Sequence, residues 1–266
     1  MAVEFLQDEQ GGVSVVVDGH PQSHVDLDDP GLLAFEYVQH LAAVIDVLPA
    51  GPLGVTHVGG AGLTLPRYVH HTRPGSPQIV LEPDEPLTAR VRQELPLPRG
   101  HRIRVRGQDG RAGIAALKDG SAQVMVLDAF IEGRVPADLT TTAALEDVAR
   151  VLTSDGVWLA NLPDEPGLRF VARVCASAQA AGLTHQLLVG THDVLKGRRF
   201  GNVVLVAGRT ALPEEEIRRR VARSPFPTGV RSSAEVARLR RSARELLDGE
   251  PWASPPPPDP GRWRTR

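Results

Sequence analysis

Apolar and polar positions change their period twice along the chain. Residues 3–27 alternate as strands do. The stretch V-S-V-V-V-D-G-H-P-Q-S-H-V-D-L holds two β-rich runs split by Asp18-Gly19, a hairpin signal. A small N-terminal β-hairpin element is therefore expected over 1–30. The period then lengthens. Phe35, Val38, Leu41, Ala42, Ile45 and Leu48 recur at helical spacing, with Asp29-Pro30 as N-cap and first-turn proline and Ala50-Gly51-Pro52 as the stop. From residue 53 short apolar runs alternate with helical stretches. Strands are expected at 53–58, 78–82, 102–106, 123–128, 156–161, 185–190 and 202–207. Apolar strands separated by helices predict an α/β fold, a Rossmann-like doubly wound sheet of seven strands with helices on both faces over 31–210. Only T-H-D-V-L-K-G-R-R-F separates the last two strands, so the last strand is expected to reverse and pair antiparallel.

Beyond residue 210 the pattern changes again. Residues 211–249 predict a helical C-terminal extension, broken at S-P-F-P-T-G and made basic by Arg218, Arg219, Arg220, Arg238, Arg240 and Arg241. That charge reads as a solvated helix face, or as a surface for an acidic partner or nucleic acid. Residues 250–266, with W-A-S-P-P-P-P-D-P, are expected to form an extended, disordered tail.

Composition narrows the classes. Apolar residues make up 41% of the chain, enough for a packed core, yet no run approaches the roughly 18 apolar residues of a membrane span. M-A-V-E-F-L-Q-D-E lacks a basic region followed by an apolar stretch, so no secretory signal is expected there. Cys175 is the single cysteine, which excludes an internal disulfide and a thiolate metal site and points to the cytoplasm. A net charge of −2 gives no global reason to expect nucleic acid.

The candidate chemistry sits at the predicted strand ends. Residues 55–68, V-T-H-V-G-G-A-G-L-T-L-P-R-Y, run from a strand through a glycine turn into a helix. Gly59, Gly60 and Gly62 can take positive φ and let a ligand approach the main chain, or they can serve only a tight connection. Pro66 suits the first helical turn. Glu82, at the next strand end in L-E-P-D, can accept two hydrogen bonds from a ribose diol. Asp109-Gly110 follow the third strand and Asp128 the fourth. Asp128 reads as a helix cap or turn former, or, in a cleft, as a base for an amine or hydroxyl nucleophile. Metal spacing is not evident: His70 and His71 are adjacent, so on a helix they point about 100° apart. His57, Trp158 and Cys175 read as core residues. Phe130 reads as a cleft wall or a packing residue, and Glu132 and Asp138 as possible extra negative charge or as solvated acids.

Taken together these segments resemble the spermidine synthase family, the polyamine aminopropyltransferases, within the S-adenosylmethionine-dependent transferases. The resemblance covers about residues 13–162. V-V-V-D-G-H-P-Q is similar to the family's D-G-x-x-Q, F-E-Y-V-Q-H-L to its F-x-Y helix, and V-G-G-A-G-L-T-L-P-R to its glycine motif. L-E-P-D is similar to its E-x-D, G-Q-D-G to its D-G, and V-M-V-L-D-A-F to the strand bearing its catalytic aspartate. The resemblance implies a methyltransferase-type sheet with S-adenosylmethionine or its decarboxylated form as co-substrate. It implies that Glu82 holds the ribose hydroxyls, Asp109 with Gly110 the adenine, and Gly59 and Gly60 the methionine moiety. Gln22 would reach in from the hairpin. Asp128 would hold the nucleophile or take its proton, with Tyr37 across the cleft. It also implies a small-molecule partner of the polyamine type and a homodimer, with neither membrane nor metal.

Three departures touch the amine half of that site. Gly62 stands where the family has aspartate, D-A-F-I-E-G replaces D-S-x-D-P, and Ala43 replaces a histidine. Losing acids removes charge-assisted hydrogen bonds that a polyamine needs. A glycine at 62 is also expected to make room for the carboxylate of intact S-adenosylmethionine. Three readings follow: aminopropyl transfer to a polyamine-type amine, methyl transfer to a small molecule, or a non-catalytic nucleoside-binding or assembly module that uses the basic helices and proline tail.

Overall fold

The computed structural model describes residues 2–258. Its N-terminal element has one strand more than the expected hairpin. β1 (Val3–Gln7), β2 (Val13–Val17) and β3 (His20–Val25) form an antiparallel meander. Asp18 and Gly19 close the β2–β3 hairpin with φ of +48° and +81°, the left-handed pair that a two-residue turn demands. Val15 and Val25 on the inner face pack against Leu63, Val80, Leu87, Val91 and Ile103, so this small sheet shares a core with the larger one.

α1 (Glu36–Val47) begins seven residues after Asp29, later than expected. Asp29 and Pro30 instead form a separate turn, in which the Asp29 carboxylate and carbonyl accept the N–H groups of Gly31 and Leu32. Phe35 is the N-cap and supplies no side-chain acceptor. The C-terminal end of α1 is served from elsewhere. The buried Arg73 guanidinium donates to the carbonyls of Ile45, Leu48, Pro49 and Gly51 at 2.6–3.1 Å, groups a helix end leaves without intrahelical partners.

The seven expected strands are present as β4 (Val55–Val58), β5 (Gln78–Leu81), β6 (Ile103–Arg106), β7 (Ala122–Leu127), β8 (Leu152–Asp164), β9 (His185–Thr191) and β10 (Gly201–Gly208). Among the described residues an eighth, β11 (Thr228–Arg231), joins them in the order β11-β9-β10-β8-β7-β4-β5-β6. The strands from β6 to β8 are parallel. β10 runs antiparallel between β8 and β9, as the missing helix implied, and the methyltransferase-type sheet is complete. β11 was not expected. The S-P-F-P-T-G segment was read as a helix break, but T-G-V-R pairs with the outer edge of β9. A four-residue run is too short to show alternation, and the edge it covers is visible only in three dimensions.

Helices cover both faces. α1, α2 (Thr64–Thr72) and α8 (Glu214–Val221) pack through Leu41, Ile45, Val69 and Ile217 on one side. On the other lie α4 (Gly110–Ala115), α5 (Thr142–Val151), α6 (Arg169–Ala180) and α9 (Ser233–Arg240), through Ile114, Val148, Val174 and Val236. α3 (Glu85–Glu94) faces the N-terminal sheet, and α7 (His192–Leu195) is one turn between β9 and β10. Trp158 and Cys175 are buried, as expected. His57 is too: its Nε2 lies 2.9 Å from Gln78 Oε1, and burial lowers its pKa to about 4, so it is neutral. No helix among the described residues is long and apolar enough to cross a membrane.

The basic C-terminal segment spends much of its charge internally. Arg218 pairs with Glu214, Arg219 with Glu216 and Arg220 with Asp46, while Arg240 donates to Gln179. Residues 251–258 of the proline-rich stretch carry no helix or strand, and part of it is docked. Ser254 is fully buried and accepts the Val135 N–H at 2.8 Å, and the Arg173 guanidinium sits 4.5 Å from the centre of the Trp252 ring. Residues 259–266 of the expected tail lie outside the described residues.

Candidate active site

The carboxyl ends of β4, β5 and β7 and the loop after β6 open into one cavity of about 290 Å³, closed on one side by β3 and by the start of α1. Doubly wound sheets bind ligands at such strand ends. Gln22, Tyr37, Gly59, Gly60, Glu82, Asp109, Gly110 and Asp128 all line it. The structure thus brings these eight residues to one place, and leaves Gly62, Glu132 and Asp138 outside the lining.

The glycine turn works differently at each position. Gly59 alone takes positive φ, +82°, and a Cβ there would collide with the Asp128 carbonyl. Gly60 stays at negative or extended φ, and the space its Cβ would need holds Val80 Cγ1 at 2.9 Å. Gly62 does not border the cavity. A Cβ on it would lie 2.7 Å from Ser23 Cβ, and its N–H donates to Ser23 Oγ at 2.9 Å. The room expected at Gly62 is therefore filled by the N-terminal sheet. Thr64 adds a second tie, donating its hydroxyl to the His24 carbonyl at 2.9 Å. The left-handed residue before α2 is Leu63, with φ +61°.

Two of the acids also cap helices. Asp84 accepts the Leu87 N–H at 2.8 Å at the start of α3, and Asp109 accepts the Ala112 N–H at 3.1 Å at the start of α4. Gly110 follows because a Cβ there would press on Val58 and Leu139. Glu82 is half-buried and accepts the Asp84 N–H at 3.1 Å. Burial pushes its pKa up, while N–H groups of Asp84, Ala61 and Gly60 pull against that rise.

Asp128 does not cap a helix; the chain after it turns away as a loop. Its carboxyl is enclosed by protein, which raises its pKa to about 6, and a hydrogen bond from Asn161 Nδ2 at 2.9 Å opposes that shift. Tyr37 stays protonated: burial first, and the nearby Asp128 charge second, push its pKa well up. Its ring stacks on Phe35 with centroids 6.0 Å apart. Phe130 and Ile131, next along the loop, also line the cavity. Glu132 and Asp138 are exposed and do not.

Electrostatically the lining is one-sided. It contains Glu82, Asp84, Asp109 and Asp128, and among the described residues no lysine or arginine. Such a site favours a cation.

Sequence, fold and cavity can now be set beside known proteins. No family model matches the chain. A polyamine aminopropyltransferase of Neisseria meningitidis is 23% identical over 199 residues, 74% of this chain and 72% of that protein. The crystal structure of a probable spermidine synthase from Corynebacterium glutamicum superposes with a TM-score of 0.85 at 27% identity, over 93% of both chains. The chain is similar to spermidine synthases. The likeness extends to a spermidine synthase in complex with the transition-state analogue AdoDATO, at TM-score 0.56 and 14% identity, over 89% of this chain and 79% of that one. At that identity the match speaks for the fold alone.

Two residues of the site were not legible beforehand. Asn161 lies inside an apolar strand, and only the β7–β8 pairing brings it to Asp128. Ser23 sits in a hairpin whose contact with the glycine turn has no sequence signature.

Proposed function

We propose that the protein is an aminopropyltransferase that takes decarboxylated S-adenosylmethionine as co-substrate and an amine as acceptor. The observation that carries this reading is the Asp128 carboxylate, held by Asn161 beside Tyr37, in a cavity whose ionisable lining is otherwise acidic too. The names of its relatives support it. The residues present fit the co-substrate: Gly59 and Gly60 bring main chain to the cavity lining, Glu82 lines it with lone pairs left for a ribose diol, and Asp109 lies at the next strand end for the adenine amino group. Gln22 closes the cavity from β3, and Gly110 keeps the Asp109 edge thin.

The bound co-substrate supplies a sulfonium leaving group, so the protein's part is to position and to handle a proton. Asp128 takes the proton of the acceptor ammonium, and Asn161 fixes the carboxylate orientation. Tyr37, neutral across working pH, orients the nitrogen without competing for that proton. A cytoplasmic location goes with this reading, as does a free, buried Cys175.

Methyl transfer from intact S-adenosylmethionine is the alternative, although Ser23 fills the space at Gly62 and, among the described residues, no lysine or arginine lines the cavity for an amino-acid carboxylate. The non-catalytic reading loses part of its support because several of the C-terminal arginines are paired internally. Calorimetry with the decarboxylated form, the intact form and methylthioadenosine tests all three, joined to an assay for methylthioadenosine release. Binding of the decarboxylated form with release on adding an amine is expected. Preference for the intact form would turn the reading to methyl transfer, and binding without turnover to a sensor.

A further inference from the structure

We propose that the acceptor, within the aminopropyl-transfer reading on which this inference rests, is an amine with one ammonium group and an apolar body. On this view its charged end is recognised by Asp128 and its body by Phe35, Tyr37, Phe130 and Ile131. A diamine with a charge at each end is then the poorer substrate.

Four carboxylates line the cavity, but three are tied to the nucleoside edge. Asp84 and Asp109 cap α3 and α4, and Glu82 accepts the Asp84 N–H while bordering the glycine turn. Among the described residues Asp128 is the remaining carboxylate of the lining, and it lies close enough to Tyr37 to act on it. The loop that follows it would be the natural source of a second acid, yet it contributes Phe130 and Ile131 to the lining and keeps Glu132 and Asp138 in solvent. Across from it, Phe35 stacks on Tyr37 and both line the same wall.

A second ammonium placed a few methylenes beyond Asp128 would meet aromatic and aliphatic carbon. It would lose part of its hydration and, among the described residues, meet no second carboxylate there. A methyl group in the same place buries apolar surface instead. The transfer balances with this acceptor. Its ammonium gives one proton to Asp128, and the freed nitrogen pair forms the new C–N bond as the C–S bond breaks. The pair of the broken bond stays on sulfur as a neutral thioether. The product leaves as a secondary ammonium, and Asp128 returns its proton to solvent.

The test is a series of linear monoamines against diamines of equal length, pentylamine against 1,4-diaminobutane among them. The full chain is saturated with decarboxylated S-adenosylmethionine, and kcat/KM is read from methylthioadenosine release. The monoamine is expected to lead its diamine by at least about tenfold, and to gain about fourfold per methylene until the cavity is full. Turnover with the diamine equal or superior overturns the inference and leaves the transferase reading standing. No turnover with any amine overturns that reading, and the inference falls with it. A second variant makes the result independent of the amine chosen. Ile131 is 65% exposed at the mouth, so Ile131→Asp spares the fold. It is expected to shift the diamine-to-monoamine ratio about tenfold toward the diamine. An unchanged ratio would mean that this wall does not set the preference.

Discussion

The two ends of the cavity are made of different material. The end proposed for the nucleoside consists of backbone and acids at strand ends: Gly59, Glu82, Asp84, Asp109 and Gly110, drawn from three consecutive strand–helix junctions. Each is fixed by the geometry of a turn or a helix cap. The end proposed for the acceptor is assembled from side chains on elements far apart in the chain: Tyr37 in α1, Asp128 after β7 and Asn161 within β8. The difference implies separate tolerances. Single side chains at the second end can be rewritten without disturbing the first, and the reverse.

Asp128→Asn should separate the two ends most sharply. Turnover should fall about 10³-fold while nucleoside affinity, measured by calorimetry, stays the same. A parallel loss of affinity would mean that the two ends are not independent. The same change should raise stability. The Asp128 carboxyl binds its proton more tightly folded, pKa about 6, than unfolded, so its ionisation costs stability as pH rises from about 4 to 6. Asp128→Asn should thus gain up to about 2 kcal/mol at pH 7 in chemical denaturation and nothing near pH 3. In the unaltered protein kcat/KM should fall as pH drops through about 6, and that limb should vanish in the variant.

Gly59→Ala comes next. Positive φ and the collision with the Asp128 carbonyl should cost about 3 kcal/mol in denaturant unfolding, because backbone cannot step aside. A loss of only a few tenths would show that the turn relaxes. Glu82→Ala should weaken nucleoside binding about 100-fold and leave the preference among amines intact. An altered preference would contradict the division. The smallest effect is expected from Asn161→Leu, about tenfold in kcat/KM. Without the Nδ2 donor the Asp128 pKa should rise further, moving the acid limb to higher pH. An unmoved limb would assign Asn161 to packing alone.

The same division explains what the sequence revealed. Turn glycines, capping acids and apolar strands are local features, so β4 to β10 and the glycines and acids at their ends could be read from spacing. The reversal of β10 was legible because ten residues cannot supply a crossover helix. β11 and the Asn161–Asp128 bond were not, because each depends on which strands become neighbours. Asp29-Pro30 misled for a related reason: it carries a helix-start signature, yet the helix starts where Phe35 meets the core.

The seam at Ser23–Gly62 and His24–Thr64 carries one more consequence. It joins the small N-terminal sheet to the very turn that a nucleoside would press against, so docking of that sheet and occupancy of the cavity share free energy. Each must then strengthen the other by the same factor. Saturating the protein with methylthioadenosine should slow amide hydrogen exchange in β2 and β3, strands that touch the ligand only through the cavity rim. The N-terminal meander would thus report, from outside, how full the site is.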